Sequence, residues 1–180
     1  MEKILKKSHD LFLQKLNNKD IVVDMTIGNG NDTLFLCQNF SFVYGFDIQQ
    51  VALDNTREYL EKNNLHNYKL IADSHANIDN YINKEIGGAI FNLGYLPNGN
   101  KNITTLSYST ITALEKTLKL IRKKGIVVIV IYDGHEQGKE EAKNIENYLA
   151  NLNQKEYDVL LYKYINQINN PPYLYCVLKK

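Results

Sequence analysis

Ile21-Val22-Val23-Asp24-Met25-Thr26-Ile27-Gly28-Asn29-Gly30-Asn31-Asp32-Thr33 is the stretch whose reading decides the fold. Its first five residues hold four apolar ones, three of them β-branched, a run too short for a helix and suited to a buried strand. The turn that follows carries Gly28 and Gly30, which tolerate positive φ and let a ligand come close to the backbone. Asn31-Asp32-Thr33 then offers caps to a helix from about Leu34. Strand, glycine turn and helix N-terminus together predict a nucleotide site.

Working outward, the chain of 180 residues predicts one domain, residues 1–180, with an N-terminal helix within residues 1–19 packed on the sheet. A formal net charge of +1 supplies no global attraction for nucleic acid, so an RNA partner would need a local patch. Cys37 and Cys176 form neither a CxxC nor a disulfide framework, and no metal signature is present, which points to a reducing cytoplasm. The Met1-Glu2-Lys3-Ile4-Leu5-Lys6-Lys7 start lacks the apolar core of a signal peptide, and no apolar run is long enough to span a bilayer, so a soluble protein is expected.

Apolar periodicity predicts a helix over about Lys3 to Leu16, strands at Phe42 to Phe46 and Tyr68 to Ala72, and a helix between them ending near Asn63-Asn64. A short helix from His75 to Ile82 and a strand from Gly88 to Leu93 come next. Gly94 to Ile103, with Pro97 and Gly99, is the long irregular loop and a candidate substrate loop. A helix from Thr104-Thr105 to about Lys123 leads to Gly125 to Tyr132, whose Ile126-Val127-Val128-Ile129-Val130-Ile131 suits a central strand covered on both faces. A helix from about Lys139 to Asn151 precedes two strands, Tyr157 to Ile165 and Tyr173 to Leu178, with no room for a helix between them, so they are antiparallel. The pattern is an α/β doubly wound, Rossmann-like sheet of seven strands, the last antiparallel, with helices on both faces.

Ligands of such sheets sit beyond the carboxyl ends of the strands. Asp47, closing the second strand, is placed to accept both ribose hydroxyls of an adenosine, which NAD and S-adenosylmethionine (SAM) would satisfy equally. Thr33 breaks the third position of the dinucleotide fingerprint, and a terminal antiparallel pair is unusual in dehydrogenases, so the methyl donor is favoured over a nicotinamide oxidoreductase. For Asp24, bracing the turn and contacting the donor's amino group weigh equally. His9, His66 and His135 read as lone histidines, and Lys3-Lys6-Lys7 and Arg122-Lys123-Lys124 as solvated helix ends.

Asp24-Met25-Thr26-Ile27-Gly28-Asn29-Gly30-Asn31-Asp32-Thr33, Phe46-Asp47-Ile48-Gln49, Asp73-Ser74-His75, Asn92-Leu93-Gly94-Tyr95-Leu96-Pro97, Tyr132-Asp133-Gly134-His135 and Asn169-Asn170-Pro171-Pro172 together resemble a bacterial family of class I SAM-dependent methyltransferases. Its members, long labelled rRNA methylases, methylate the amine of 5-aminomethyl-2-thiouridine at wobble position 34 of tRNA to give the methylaminomethyl form. Asn31 stands where that family often has His, and Asn98 where Gly is common.

The resemblance implies SAM held by Asp24, Thr26, Ile27, Gly28, Asn29, Gly30, Asn31, Asp32, Thr33, Asp47, Ile48, Gln49, Asp73, Ser74, His75 and Asn92. Asn92-Leu93-Gly94-Tyr95 occupies the place of the Asp/Asn-Pro-Pro-Tyr string of amino-methylating enzymes. By that analogy the Asn92 side-chain oxygen and the Leu93 carbonyl accept the amine's hydrogens, Tyr95 stacks on the uracil, and Asp133 or His135 is a candidate to receive the proton. Tyr95, Asn98, Lys101, His135, Asn169 and Asn170 are the candidate wall for the tRNA anticodon loop, Lys101 meeting phosphate. The implied protein is a cytoplasmic monomer or homodimer without metal or membrane. The alternatives are methylation of rRNA or another amine, a nicotinamide-dependent oxidoreductase, and a non-catalytic RNA-binding module.

Overall fold

The computed structural model describes residues 2–93, 107–134 and 136–180. Among them seven strands form one sheet: β1 (Ile21–Asp24), β2 (Phe42–Asp47), β3 (Tyr68–Ala72), β4 (Ile86–Asn92), β5 (Ile121–Ile131), β6 (Tyr157–Tyr162) and β7 (Tyr173–Lys179). Their order across the sheet is β3-β2-β1-β4-β5-β7-β6. β1 pairs in parallel with β2 and β4, β2 with β3, and β4 with β5. Only β7 runs against its neighbours, β5 and β6, so the expected seven-stranded sheet with an antiparallel last strand is the one observed.

Helices α1 (Glu2–Lys15), α2 (Asn31–Asn39) and α3 (Gln50–Lys62) cover one face, while α4 (Ser107–Leu120), α5 (Glu136–Ala150) and a 3-10 segment, His75–Asn80, cover the other. The alternation of a strand decides which core each residue of β5 joins. Val127, Ile129 and Ile131 cluster with Leu114, Leu118, Ile145 and Leu149, and Ile126, Val128 and Val130 with Ile4, Leu11, Phe12 and Leu36. Each such side chain contributes roughly 1.5–3 kcal/mol when it leaves water, which is why a strand with two dry faces reads as one unbroken apolar run. α1 lies close on the sheet because Gly88 of β4 has no side chain. A Cβ there would stand 2.7 Å from Leu16 and 3.0 Å from Phe12.

Several boundaries differ from the sequence reading, each for a local reason. α2 begins at Asn31 rather than near Leu34, and its N-cap is Gly30 in the left-handed region with no side-chain cap, which frees Asp32 and Thr33 to turn inward. α4 ends at Leu120, and Arg122 belongs to β5. Asp20 at the foot of β1 takes the Arg122 guanidinium in two bonds, Nε to Oδ1 at 2.8 Å and Nη2 to Oδ2 at 2.6 Å, so Arg122 is no solvated helix end. Burial works to raise the Asp20 pKa, but the bonds from Arg122 and the Asn17 N–H outweigh it and hold it below the usual range. β6 stops at Tyr162, short of Ile165. Lys7, also read as a solvated helix end, has its ammonium 5.1 Å above the Tyr162 ring. Since β6 and β5 both oppose β7, they are parallel to each other, and the connection over residues 163–172 lies at the same carboxyl edge as the ends of β1, β4 and β5.

Candidate active site

The carboxyl edge is built around the turn after β1. The Ile27 N–H donates to the Phe46 carbonyl at 3.0 Å, the Gly28 N–H to Asp47 Oδ2 at 2.9 Å and the Gly30 N–H to the Ile27 carbonyl at 2.9 Å. Gly28 and Gly30 sit at φ of 53° and 75°, where L side chains are strained. Gly30 has a second reason to be glycine that the sequence did not show. A Cβ there would lie 2.5 Å from Thr56 Oγ1 and 2.9 Å from its Cγ2, so the turn is clamped against α3.

Three carboxylates converge on this edge. Asp24 is fully buried, with Oδ2 accepting from the Thr33 hydroxyl at 2.6 Å and Oδ1 from the Thr26 N–H at 3.1 Å. Burial and the neighbouring Asp32 charge push its pKa up to about 7. These bonds brace the turn from within. Asp32 is 7% exposed and is held by His9 Nε2 at 2.6 Å on one oxygen and by Asn92 Nδ2 at 3.1 Å on the other. Asp47 accepts from the backbone N–H groups of Gly28 and Gln49, both at 2.9 Å. Among the described residues no lysine or arginine pairs with any of the three. Asp24 and Asp32 are buried and Asp47 half-buried, and His9 is the one basic side chain bonded to any of them among the described residues. Carboxylates gathered this way are stabilised by a cationic ligand, and this donor set fits a sulfonium carrying an ammonium.

Beyond β3, Asp73 accepts from Ser74 N–H at 2.7 Å, Asn77 Nδ2 at 3.0 Å and the Tyr81 hydroxyl at 2.8 Å, with Tyr81 and Asn77 doing most to hold its carboxyl below the usual range. Ser74 caps the 3-10 segment through the Ala76 N–H. His75 Nδ1 lies 2.9 Å from the Met25 carbonyl and so carries the ring proton. Its Nε2 is a buried lone pair without a partner among the described residues, and burial lowers the ring's pKa. An orphaned acceptor here is open to a ligand donor. Ile48, directly after Asp47, is 60% exposed, an apolar surface beside that carboxylate. Thr26 is half-buried, Ile27 and Thr33 are buried, and Asn29 and Asn31 face solvent.

Asn92 ends β4 in the middle of this edge. Its N–H donates to Thr26 Oγ1 at 2.7 Å, and with its amide nitrogen on Asp32 the side-chain oxygen is the end left as acceptor. Leu93 is buried and its N–H donates to the Val130 carbonyl at 3.0 Å. Asp133 is half-buried, and Asn169 and Asn170 are exposed, Asn170 at φ 41°. Tyr95, Asn98, Lys101 and His135 lie outside the described residues. His9 is the participant that sequence reasoning missed. Only its i, i+3 spacing from Phe12, which places it beside the buried stripe of α1, hinted that it faces the protein.

Among the described residues no group of side chains could hold a metal ion, and no helix is long and apolar enough to cross a membrane. The sequence pattern of the family described as "Putative rRNA methylase" matches residues 43–178. A structure described as a "putative rRNA-methylase" from Clostridium thermocellum is 41% identical, covering 98% of this chain and 97% of its own, with a TM-score of 0.96. A structure described as "a putative methyltransferase" from Streptococcus mutans in complex with SAH is 40% identical, covering 98% of each chain, with a TM-score of 0.93. A chloroplastic tRNA (mnm(5)s(2)U34)-methyltransferase of Arabidopsis thaliana is 30% identical over 92% of this chain, which spans 66% of that relative's length.

Proposed function

Because the chain belongs to the family described as "Putative rRNA methylase" and has the fold of SAM-dependent methyltransferases, we propose that it methylates the amine of 5-aminomethyl-2-thiouridine at wobble position 34 of tRNA. It is a SAM-dependent methyltransferase acting on an anticodon loop in the cytoplasm. The observation that carries the choice of an amine acceptor is Asn92. Two hydrogen bonds fix it at the carboxyl end of a central strand with a neutral oxygen as the acceptor for N–H.

When bound, SAM supplies an electrophilic methyl carbon on sulfur, whose C–S bond breaks with its electron pair passing to sulfur as the amine lone pair forms the new N–C bond. Asp47, fixed by the Gly28 and Gln49 N–H groups, would hold the ribose hydroxyls, and Ile48 would cover one face of the adenine. Asp73, Ser74 and His75 would line its other side, and Asp24 through Thr33 would surround the amino-acid end. The Asn92 oxygen and the Leu93 carbonyl accept the amine's hydrogens and so direct its lone pair, a contribution of orientation rather than acid–base chemistry. The proton freed from nitrogen passes to solvent.

The test is transfer of radiolabelled methyl to tRNA from a strain lacking the gene, followed by nucleoside analysis. Label in 5-methylaminomethyl-2-thiouridine supports the reading. Label confined to ribosomal RNA replaces tRNA with rRNA as substrate, and saturable NADH binding without SAM binding overturns the methyltransferase altogether.

A further inference from the structure

α1 covers the sheet, yet one of its side chains leaves the apolar stripe and reaches the site. The His9 ring lies flat on Phe35 of α2, centroids 3.8 Å apart and planes within 1°, and its Nε2 meets Asp32 Oδ1 at 2.6 Å. A carboxylate can only accept, so Nε2 bears a hydrogen. The second oxygen of Asp32 receives the Asn92 amide nitrogen at 3.1 Å. An amide turned the other way would set its oxygen against the carboxylate, two acceptors facing each other. Asp32 thus selects one of the two orientations open to Asn92. The Asp24 carboxyl is close enough to feel the Asp32 charge. The Asp32 side chain receives a hydrogen bond on each oxygen, and the one that comes from outside the edge is that of His9.

We propose that His9, Asp32 and Asn92 form a positioning chain through which α1 aims the Asn92 oxygen at the acceptor amine, an inference that rests on the amine-methylating reading above. His9 touches no substrate in this arrangement. It fixes the carboxylate that fixes the amide. The chain links residues 23 and 60 positions apart, so the site is complete only when α1 is docked.

The experiment compares His9→Gln with His9→Leu in the full chain. The two replacements are close in size and both lose the ring, but only Gln can donate an N–H to Asp32. Single-turnover methyl transfer to tRNA carrying 5-aminomethyl-2-thiouridine should be about tenfold slower in His9→Leu and within about threefold of the wild type in His9→Gln. SAM affinity by calorimetry should agree within about twofold across all three. Equal rates in the two variants overturn the chain, as does a loss in SAM affinity that matches the loss in rate. A second readout needs no substrate: the Asn92 side-chain amide resonances, identified by their loss in Asn92→Asp, should shift in His9→Leu and return in His9→Gln. Unmoved resonances in His9→Leu refute the chain. A wild-type protein that leaves the tRNA unmethylated refutes the functional reading instead, and the resonances still decide whether His9 positions Asn92.

Discussion

Gly30→Ala is the substitution whose cost the geometry lets one work out in parts. The added methyl must accept φ of 75°, a strain of about 1–2 kcal/mol for an L residue. It must also push against Thr56, whose Oγ1 and Cγ2 would stand 2.5 and 2.9 Å away, an overpacking cost of about 1–3 kcal/mol. Together they destabilise the protein by about 3 kcal/mol, which in a domain of this size lowers Tm by roughly 6–12 °C. Thr56→Ala removes both clashing atoms and leaves the Thr56 Cβ at 3.1 Å, a distance that a shift of a few tenths of an ångström relieves. On its own Thr56→Ala should cost about 1 kcal/mol or less, since the hydroxyl it removes has no partner among the described residues. In the double variant the steric part is recovered and only the strain persists, giving a favourable coupling of about 1–3 kcal/mol in a double-mutant cycle. Urea unfolding of the four proteins measures it. Strictly additive free energies would refute the clamp between the turn and α3 and return Gly30 to a role in ligand approach alone.

Asp47→Ala should weaken SAM binding by about 1.5–3 kcal/mol in calorimetry, through the loss of charge-assisted bonds to ribose; unchanged affinity removes Asp47 from the site. Asn92→Ala should lower the single-turnover rate at least tenfold while moving SAM affinity far less, and parallel losses would make it a cofactor residue. With chemistry rate-limiting, the wild-type rate should climb with pH toward the pKa of the acceptor amine, because only the free base attacks; a flat profile from about pH 6 to 9 argues against an amine acceptor. Arg122→Met leaves the Asp20 carboxylate nearly buried with one backbone N–H, and should cost about 2–4 kcal/mol of stability at neutral pH. Because the folded pKa of Asp20 lies below its ordinary 3.8, the pair's contribution is full above that value and fades as pH falls through the folded one, so the gap between variant and wild type should close in acid.

The architecture was legible because its signals are local. An unbroken apolar run marks β5, and ten residues between β6 and β7 leave no room for a crossover helix, so both the two-sided sheet and its antiparallel closure follow from short windows. What escaped reading joins distant positions. Arg122 sits in a basic run that looks like a helix end until Asp20, 102 residues earlier, is brought under it. His9 looks ornamental until α1 is docked in one rotation against α2. The cap of α2 was misplaced for another reason: Asn31, Asp32 and Thr33 are all good capping residues, and only the left-handed backbone of Gly30 reveals that the helix starts without them and spends Asp32 and Thr33 on the interior.

The gathering of Asp24, Asp32 and Asp47, to which no lysine or arginine is bonded among the described residues, has a bearing on turnover under the proposed function. Methyl transfer converts a sulfonium into an uncharged thioether of nearly the same outline, so an edge of this kind, holding the donor as proposed, would have a weaker hold on what the reaction leaves behind. Discrimination of this kind follows charge more than shape, and it eases product departure without any moving part. It also indicates the inhibitor that this edge favours: a molecule with the donor's contours whose positive centre cannot be given away.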